Sequence, residues 1–154
     1  MTDLQERMTV FQLERYKFIL QQLHATNENV HRYLAIFQTI ATTILGGVLA
    51  VFFGYKRWGI DAETARTVIT VGMWLVTAVA AFAILQVIVG ILSWLDYRRE
   101  ECDLLDELVK PGVRARPLWK NFYRWYETYV VVFILTLIIL TWVLANVAFL
   151  PRVK

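Results

Sequence analysis

The chain has 154 residues, of which 58% are hydrophobic and only 19% are charged, and its formal net charge is +3. Typical soluble domains are about 45 to 50% apolar and about 25% charged, so this composition argues against a soluble globular protein. One cysteine and two histidines also exclude an intrachain disulfide scaffold and a Cys/His zinc module.

Three uncharged stretches lie at 33–55, 67–95 and 128–150. Each is longer than the roughly 20 apolar residues that a bilayer-spanning helix needs. We therefore predict an all-α integral membrane protein with three transmembrane helices at these positions. The first 29 residues are polar and amphipathic, without the continuous apolar segment of a signal peptide, so we expect no cleavable leader.

The segment 2–25 is predicted to form an amphipathic helix outside the bilayer. Thr2 and Gln5 have the spacing of an N-terminal capping box, and apolar residues recur mostly on one face. Polar residues at 26–29 follow. The sequence leaves open whether they end this helix or lie within a longer one.

The first span ends at a basic and aromatic boundary that includes Trp58, which is typical of a membrane interface. Asp61 is predicted to be the N-cap of the next helix. Because no Pro or Gly pair interrupts the chain from Ala62 to Pro111, one helix could run for roughly 70 Å at 1.5 Å per residue. That exceeds the thickness of a bilayer, so 96–110 is predicted to project into the cytoplasm as an amphipathic extension.

The segment 114–127 precedes the third span and combines cationic with aromatic side chains. Such residues can bind single-stranded nucleic acid, but their position directly before a span favours anionic lipid headgroups, so no nucleic-acid partner is expected. The residues predicted to lie at the lipid interface are Trp58, Trp94, Arg114, Arg116, Trp119, Lys120, Tyr123, Arg124 and Trp125.

The distribution of Lys and Arg predicts the orientation. With three spans, the N-terminal tail and the second loop share one side of the membrane, and they carry 11 of these residues against 5 on the other side. The positive-inside rule then places the N-terminus in the cytoplasm and the C-terminus outside.

Small and polar residues recur at every fourth position of the first span, which stacks them on one helical face. In lipid, small residues promote association because they let helix backbones approach closely. This face is predicted to pack helices, within the chain or between copies, and pore lining is the less favoured alternative. The predicted helix-packing residues are Gln38, Thr42, Gly46, Gly47, Ala50, Gly54, Gln86 and Gly90.

An antiparallel hairpin that enters near Leu34 and leaves near Trp94 would place Gln86 at the depth of Thr42, which predicts a hydrogen bond between them. The third span has the fewest small residues and is expected to face lipid. No ionisable residue lies well inside any span, which argues against an ion-coupled transporter.

Three features could carry chemistry, and each has a simpler interpretation. His24, Glu28 and His31 have a spacing that would permit metal binding, but interfacial polar residues are favoured and no metal is predicted. Cys102 is expected to be a buried thiol, with palmitoylation as the minor alternative. The acidic run 100–107 is interpreted as a solvated helical face, because no catalytic partner accompanies it. We therefore predict neither an enzyme nor a cofactor.

A cytoplasmic helix, a hairpin of two spans and a charged extension at 95–110 together resemble the SLATT family of small bacterial membrane effectors. The resemblance covers about 16–110 and is architectural; the third span is not part of that family's two-span pattern. It implies a protein of the bacterial inner membrane that oligomerises and perturbs that membrane when a nucleotide-sensing partner triggers it. No functional residue is transferred.

Two functions remain open. The favoured one is a non-enzymatic homo-oligomer that contacts membrane lipids and forms a pore or perturbs the bilayer. The alternative is an accessory or anchoring subunit of a larger membrane complex, which docks a cytoplasmic protein partner.

Overall fold

The computed structural model describes residues 2–154, with side chains from Thr9 onward, and these residues are helical without strands. The long helices are α1 (Thr2–Gly54), α2 (Ala62–Leu108) and α3 (Tyr126–Leu144). A short 3-10 helix at Trp119–Arg124 precedes α3, and a π-helical turn at Ala145–Phe149 and a 3-10 turn at Leu150–Arg152 follow it. All three long helices are long and apolar enough to cross a membrane, which confirms the predicted helical class and the three candidate spans.

The predicted N-terminal helix is not a separate element, because 2–25 is the first half of α1. The polar residues at 26–29 do not interrupt it. Thr26 Oγ1 donates to the carbonyl oxygen of Gln22 at 2.8 Å, so this hydroxyl is satisfied within the helix. Asn and Thr each cost a helix no more than about 0.7 kcal/mol relative to Ala, and the segment contains neither Gly nor Pro. The predicted capping residues near the start of the chain lie outside the described side chains.

A tight turn joins α1 to α2. Gly59 has φ +67°, a left-handed conformation that favours glycine, and the amide of Ile60 donates to the carbonyl oxygen of Tyr55 at 2.9 Å. Asp61 Oδ1 accepts from the backbone amide of Thr64 at 2.8 Å, which confirms Asp61 as the N-cap. Hydrogen bonds from the side chain and the backbone of Thr64 lower the pKa of Asp61. α2 then continues for 47 residues, so the prediction of one long helix is also confirmed.

The chain divides into two compact units. Unit 1 comprises 2–31 and 87–125, and unit 2 comprises 32–86 and 126–154. Both α1 and α2 contribute to each unit.

In unit 2, α1 and α2 pack as an antiparallel hairpin with coiled-coil spacing. The buried residues of α1 are seven positions apart, and those of α2 recur at intervals of three and four, as in the a and d positions of a heptad. They are Ala41, Val48 and Tyr55 on α1, and Ala65, Ile69, Met73, Val76, Ala80 and Ala83 on α2.

The closest approach of this hairpin lies at Gly72. A Cβ atom added there would lie 2.4 Å from Val48 Cγ2, so only glycine leaves room for the valine. Gln86 instead lines a cavity with Tyr33 and Phe37, whereas Thr42 does not line that cavity. The prediction that Gln86 lies at the depth of Thr42 was therefore wrong by about two helical turns. Within the described residues, no hydrogen bond joins the two side chains.

The physical reason is that the tight turn at 55–61 sets the register of the hairpin. The prediction aligned the two helices by the ends of their uncharged stretches, which need not lie at the same depth.

The C-terminal half of α3 docks against the rest of unit 2. Trp142 Nε1 donates to Thr77 Oγ1 at 2.9 Å, and the Trp142 ring makes an edge contact with Trp74 at 5.3 Å between centroids. Beyond α3, the ring of Phe149 lies 4.8 Å from that of Phe52. Most of the α3 surface nevertheless remains exposed, as expected for a helix that faces lipid.

Candidate functional site

The predicted helix-packing residues divide into three groups. Gly54 and Gly90 do pack within the chain, because a Cβ atom added at Gly54 would meet the Trp58 ring at 2.8 Å and one added at Gly90 would meet Val30 Cγ2 at 2.9 Å. A second group, Gly46, Gly47 and Ala50, is exposed on the outward side of α1. The third group lines cavities, with Gln38 and Thr42 in one cavity and Gln86 in another.

The first surface of interest is the side of α1 that points away from the buried residues at 41, 48 and 55. We call it the outward face, and it consists of Thr39, Thr43, Gly46, Gly47 and Ala50. All five residues are exposed. A Cβ atom added at Gly46 or Gly47 would meet nothing within 4 Å. The small residues of this face therefore play no part in the packing of the chain itself.

The polar groups of the outward face are already satisfied. Thr39 Oγ1 donates to the carbonyl oxygen of Ala35 at 3.0 Å, and Thr43 Oγ1 donates to that of Thr39 at 2.8 Å. A lipid or a second helix could thus lie directly against the backbone here without leaving a hydroxyl unpaired.

The second surface is a cavity of about 610 Å³ between α1 and α3, which we call the groove. Val76 of α2 contributes to its lining. Leu34 and Tyr126 begin the lining on α1 and α3, and Leu45 and Thr141 end it. The groove follows α3 from Tyr126 to Thr141, and Ile134 within this stretch is only 2% exposed.

The predicted interfacial aromatic residues form a cluster in unit 1. The Trp125 ring lies 6.2 Å from that of Trp94 and 5.8 Å from that of Trp119, between centroids. Trp119 and Tyr123 remain exposed, and Trp94 and Trp125 are partly buried. In unit 2, Trp58 covers Gly54 and is itself exposed.

The four predicted interfacial cations behave differently from one another. Arg114 pairs with Glu101, and Arg116 pairs with Asp103 at 2.7 Å and with Asp106 at 3.2 Å. These two cations thus have carboxylate partners within the chain, which the prediction of lipid contacts did not foresee. Within the described residues, Lys120 and Arg124 have no ion-pair partner.

Glu101 departs from the prediction that the acidic run 100–107 forms a solvated helical face, because its side chain is 0% exposed. Its two oxygens bind different guanidinium groups, Oε2 with Arg98 Nη1 at 2.6 Å and Oε1 with Arg114 Nη1 at 2.7 Å. A buried carboxylate needs such partners, because an unpaired one would be strongly destabilising. The two arginines thus tie the loop that follows α2 to the end of the helix.

Two further residues with possible chemistry have ordinary surroundings. Cys102 is buried, with Sγ 3.9 Å from the carbonyl oxygen of Ala115, so the thiol is not presented to a modifying enzyme. His24 Nε2 lies 3.3 Å from Glu28 Oε1, and both side chains are exposed. Among the described residues, no three His, Cys, Asp or Glu side chains are grouped so that they could hold a metal ion.

The geometry thus presents two features for function, the outward face of α1 and the groove between α1 and α3, and both lie in unit 2. Each is built from uncharged residues on helices that are long enough to span a bilayer. No protein-family model, curated protein or solved structure matches the chain.

Proposed function

We propose that this chain is a non-enzymatic integral membrane protein whose copies associate through the outward face of α1, and that the oligomer opens or perturbs the membrane. The observation that carries the proposal is the empty space beside Gly46 and Gly47 on a helix whose opposite side is buried.

Helices associate in lipid for different reasons than in water. Apolar side chains gain little by leaving hydrocarbon for each other, so association depends on close van der Waals packing and on interhelical hydrogen bonds. Small residues permit that packing by bringing two backbones together. α2 already occupies the side of α1 that carries Ala41 and Val48, which leaves the outward face as the side available to a second copy.

The membrane orientation forms part of the proposal. The excess of Lys and Arg in the N-terminal tail and the second loop favours a cytoplasmic N-terminus and an external C-terminus. We assign the protein to a bacterial inner membrane because its architecture resembles that of the SLATT effectors. The lipid contacts then fall to the exposed aromatic residues near the third span and to Lys120 and Arg124.

The polar residues of the first span support the pore or perturbation role. Thr39 and Thr43 are exposed on the outward face of α1, and neither carries a charge. An oligomer that brought these residues around one axis would offer water a polar path without a charged ring. Such a path would discriminate weakly between cations and anions.

The test is a comparison of two small-to-large substitutions in purified full-length protein. Gly46→Leu fills the outward face, and Ala81→Leu enlarges an exposed residue of α2 as the matched control. Neither substitution is expected to disturb the folded chain, because both side chains point outwards. Particle mass in nanodiscs reports assembly, and dye release from liposomes reports leakage.

We expect an oligomer that leaks in the wild type and in Ala81→Leu, and neither assembly nor leakage in Gly46→Leu. A monomer under all conditions would refute self-association through the outward face. An oligomer that never leaks would refute the claim that the oligomer opens or perturbs the membrane.

A second function is favoured by exposed apolar residues on α1 in unit 1. Phe11 is 63% exposed and Phe18 is 52% exposed, and Val10 and Leu13 are exposed beside them. Such a patch suits a protein partner and supports an accessory subunit that docks a cytoplasmic protein. A stable complex recovered by affinity purification, and lost in Phe11→Ser but not in Ala81→Leu, would support this alternative; assembly and leakage by the isolated protein would argue against it.

A further inference from the structure

We propose that the groove between α1 and α3 binds one acyl chain of a membrane phospholipid. The inference rests on the proposed membrane location of the three helices, but it does not depend on self-association or leakage.

The size of the groove fits this occupant. Its volume of about 610 Å³ lies within the range of small-ligand sites, roughly 300 to 1,000 Å³. Its lining on α3 runs from Tyr126 to Thr141, which is about 22 Å at 1.5 Å per residue. The acyl region of one leaflet is about 15 Å thick, half of the hydrocarbon core, so a single chain can lie along the groove.

The lining also has the polarity of a lipid. Tyr126 and Tyr129 lie at the start of α3, where tyrosine hydroxyls commonly meet the membrane interface. On α1 the lining begins at Leu34, and Gln38 lies one helical turn further into the groove, where its side-chain amide makes no hydrogen bond within the described residues. At the other end the lining consists of Leu45, Ile138 and Thr141, and the Thr141 hydroxyl is already hydrogen-bonded to the carbonyl oxygen of Leu137.

This gradient suits a phospholipid rather than a second protein helix. The glycerol ester oxygens can accept a hydrogen bond from the Tyr129 hydroxyl, while the acyl chain continues past Gln38 between the apolar side chains. The lining contains no Asp, Glu, Lys, Arg or His, which suits an uncharged acyl chain. Because phospholipid surrounds the helices on every open side, this occupant needs no separate delivery.

The experiment places the full-length protein in phosphatidylcholine vesicles that contain a phospholipid with a photoreactive diazirine on one acyl chain. Irradiation followed by peptide mass spectrometry maps where the chain lies. Leu137→Trp narrows the groove, and Leu135→Trp is the matched control on an exposed position of α3 outside it. Thr42→Trp blocks the groove from the α1 side, so the test does not depend on one variant that could misfold.

We expect adducts to concentrate on the groove segments of α1 and α3. Leu137→Trp and Thr42→Trp should each reduce these adducts about tenfold, the change that about 1.4 kcal/mol of lost affinity gives, while Leu135→Trp leaves them unchanged. Tyr129→Phe should reduce them by a smaller factor, because it removes the hydroxyl but keeps the apolar lining.

Equal labelling of the groove and of exposed α2 residues such as Val71 would show ordinary surrounding lipid only, and would overturn the proposal. Photocross-links from the groove to a second protein chain would also overturn it. Groove labelling without dye leakage would support the lipid site and refute only the pore. Dye leakage without groove labelling would support the pore and refute only the lipid site.

Discussion

The contact between Gly72 and Val48 predicts that a single added methyl group will destabilise the hairpin. A Cβ atom at position 72 would lie 2.4 Å from Val48 Cγ2, well inside the 3.5 to 4.0 Å of an ordinary carbon contact. Valine is branched at Cβ and has one strongly preferred rotamer in a helix, so it cannot turn aside at low cost. The two helices must therefore separate locally to admit the methyl group.

The expected magnitude comes from two opposing effects. Replacing Gly by Ala within a helix stabilises it by about 0.5 to 1 kcal/mol, whereas forcing a methyl group into a packed interface costs about 1 to 3 kcal/mol. The cost exceeds the gain over most of these ranges, so Gly72→Ala should lower the free energy of unfolding by about 1 kcal/mol. Gly46→Ala is the matched control, since nothing lies within 4 Å of its Cβ position, and it should be neutral or slightly stabilising.

The assay is SDS titration of the folded protein in mixed micelles, followed by far-UV circular dichroism. A double-mutant cycle with Val48→Ala isolates the contact, because removing the valine methyl groups makes room for the new one. The double variant should be more stable than the sum of the two single effects predicts, by about 1 kcal/mol or more. Equal stability of Gly72→Ala and Gly46→Ala, with no coupling to Val48, would refute the close approach of α1 and α2.

Three other predictions follow from named contacts. Glu101→Gln removes the charge that holds Arg98 and Arg114, so the free energy that keeps the loop after α2 in place should fall by about 1 to 2 kcal/mol. Trypsin should then cleave after Arg114 faster than in the wild type. An unchanged cleavage rate would contradict the role of Glu101. The lowered pKa of Asp61 means that its N-cap contribution is present above its ordinary value of 3.8 and is lost as the pH falls through the lower folded-state pKa, so Asp61→Ala should remove this acid-dependent part of the stability. Trp142→Phe removes the hydrogen bond to Thr77 and should cost about 0.6 kcal/mol in the same SDS assay, without changing the helix content.

Several features of the fold could be predicted because their causes are local. Hydropathy identifies the three spans, since each apolar stretch must be long enough to cross the hydrocarbon core. Asp61 as an N-cap, and the uninterrupted helix that follows it, depend on residues that are neighbours in the sequence. The continuity of α1 through 26–29 was the local feature left undecided, because Thr and Asn are tolerated both in helices and at their ends.

The side that each helix buries against its neighbours could not be predicted in the same way. In a soluble helix the contrast between apolar and polar residues marks the buried side, but almost every residue of an apolar span is apolar. The small residues at every fourth position of α1 left open whether that face packs within the chain or between copies, and the contact with α2 uses the seven-residue spacing of Ala41, Val48 and Tyr55. That spacing is present in the sequence and could have been found by testing a heptad pattern.

The sequence by itself thus determined the all-helical class, the three long apolar helices and the N-cap of α2, because these depend on short-range propensity and on total hydrophobicity. Only the tertiary structure decided the register at Gly72, the burial of Glu101 beside Arg114, and the groove beside Gln38. Each of these depends on which distant residues meet when helices are docked, and docking is governed by the shape of the packed side chains rather than by the character of any one segment.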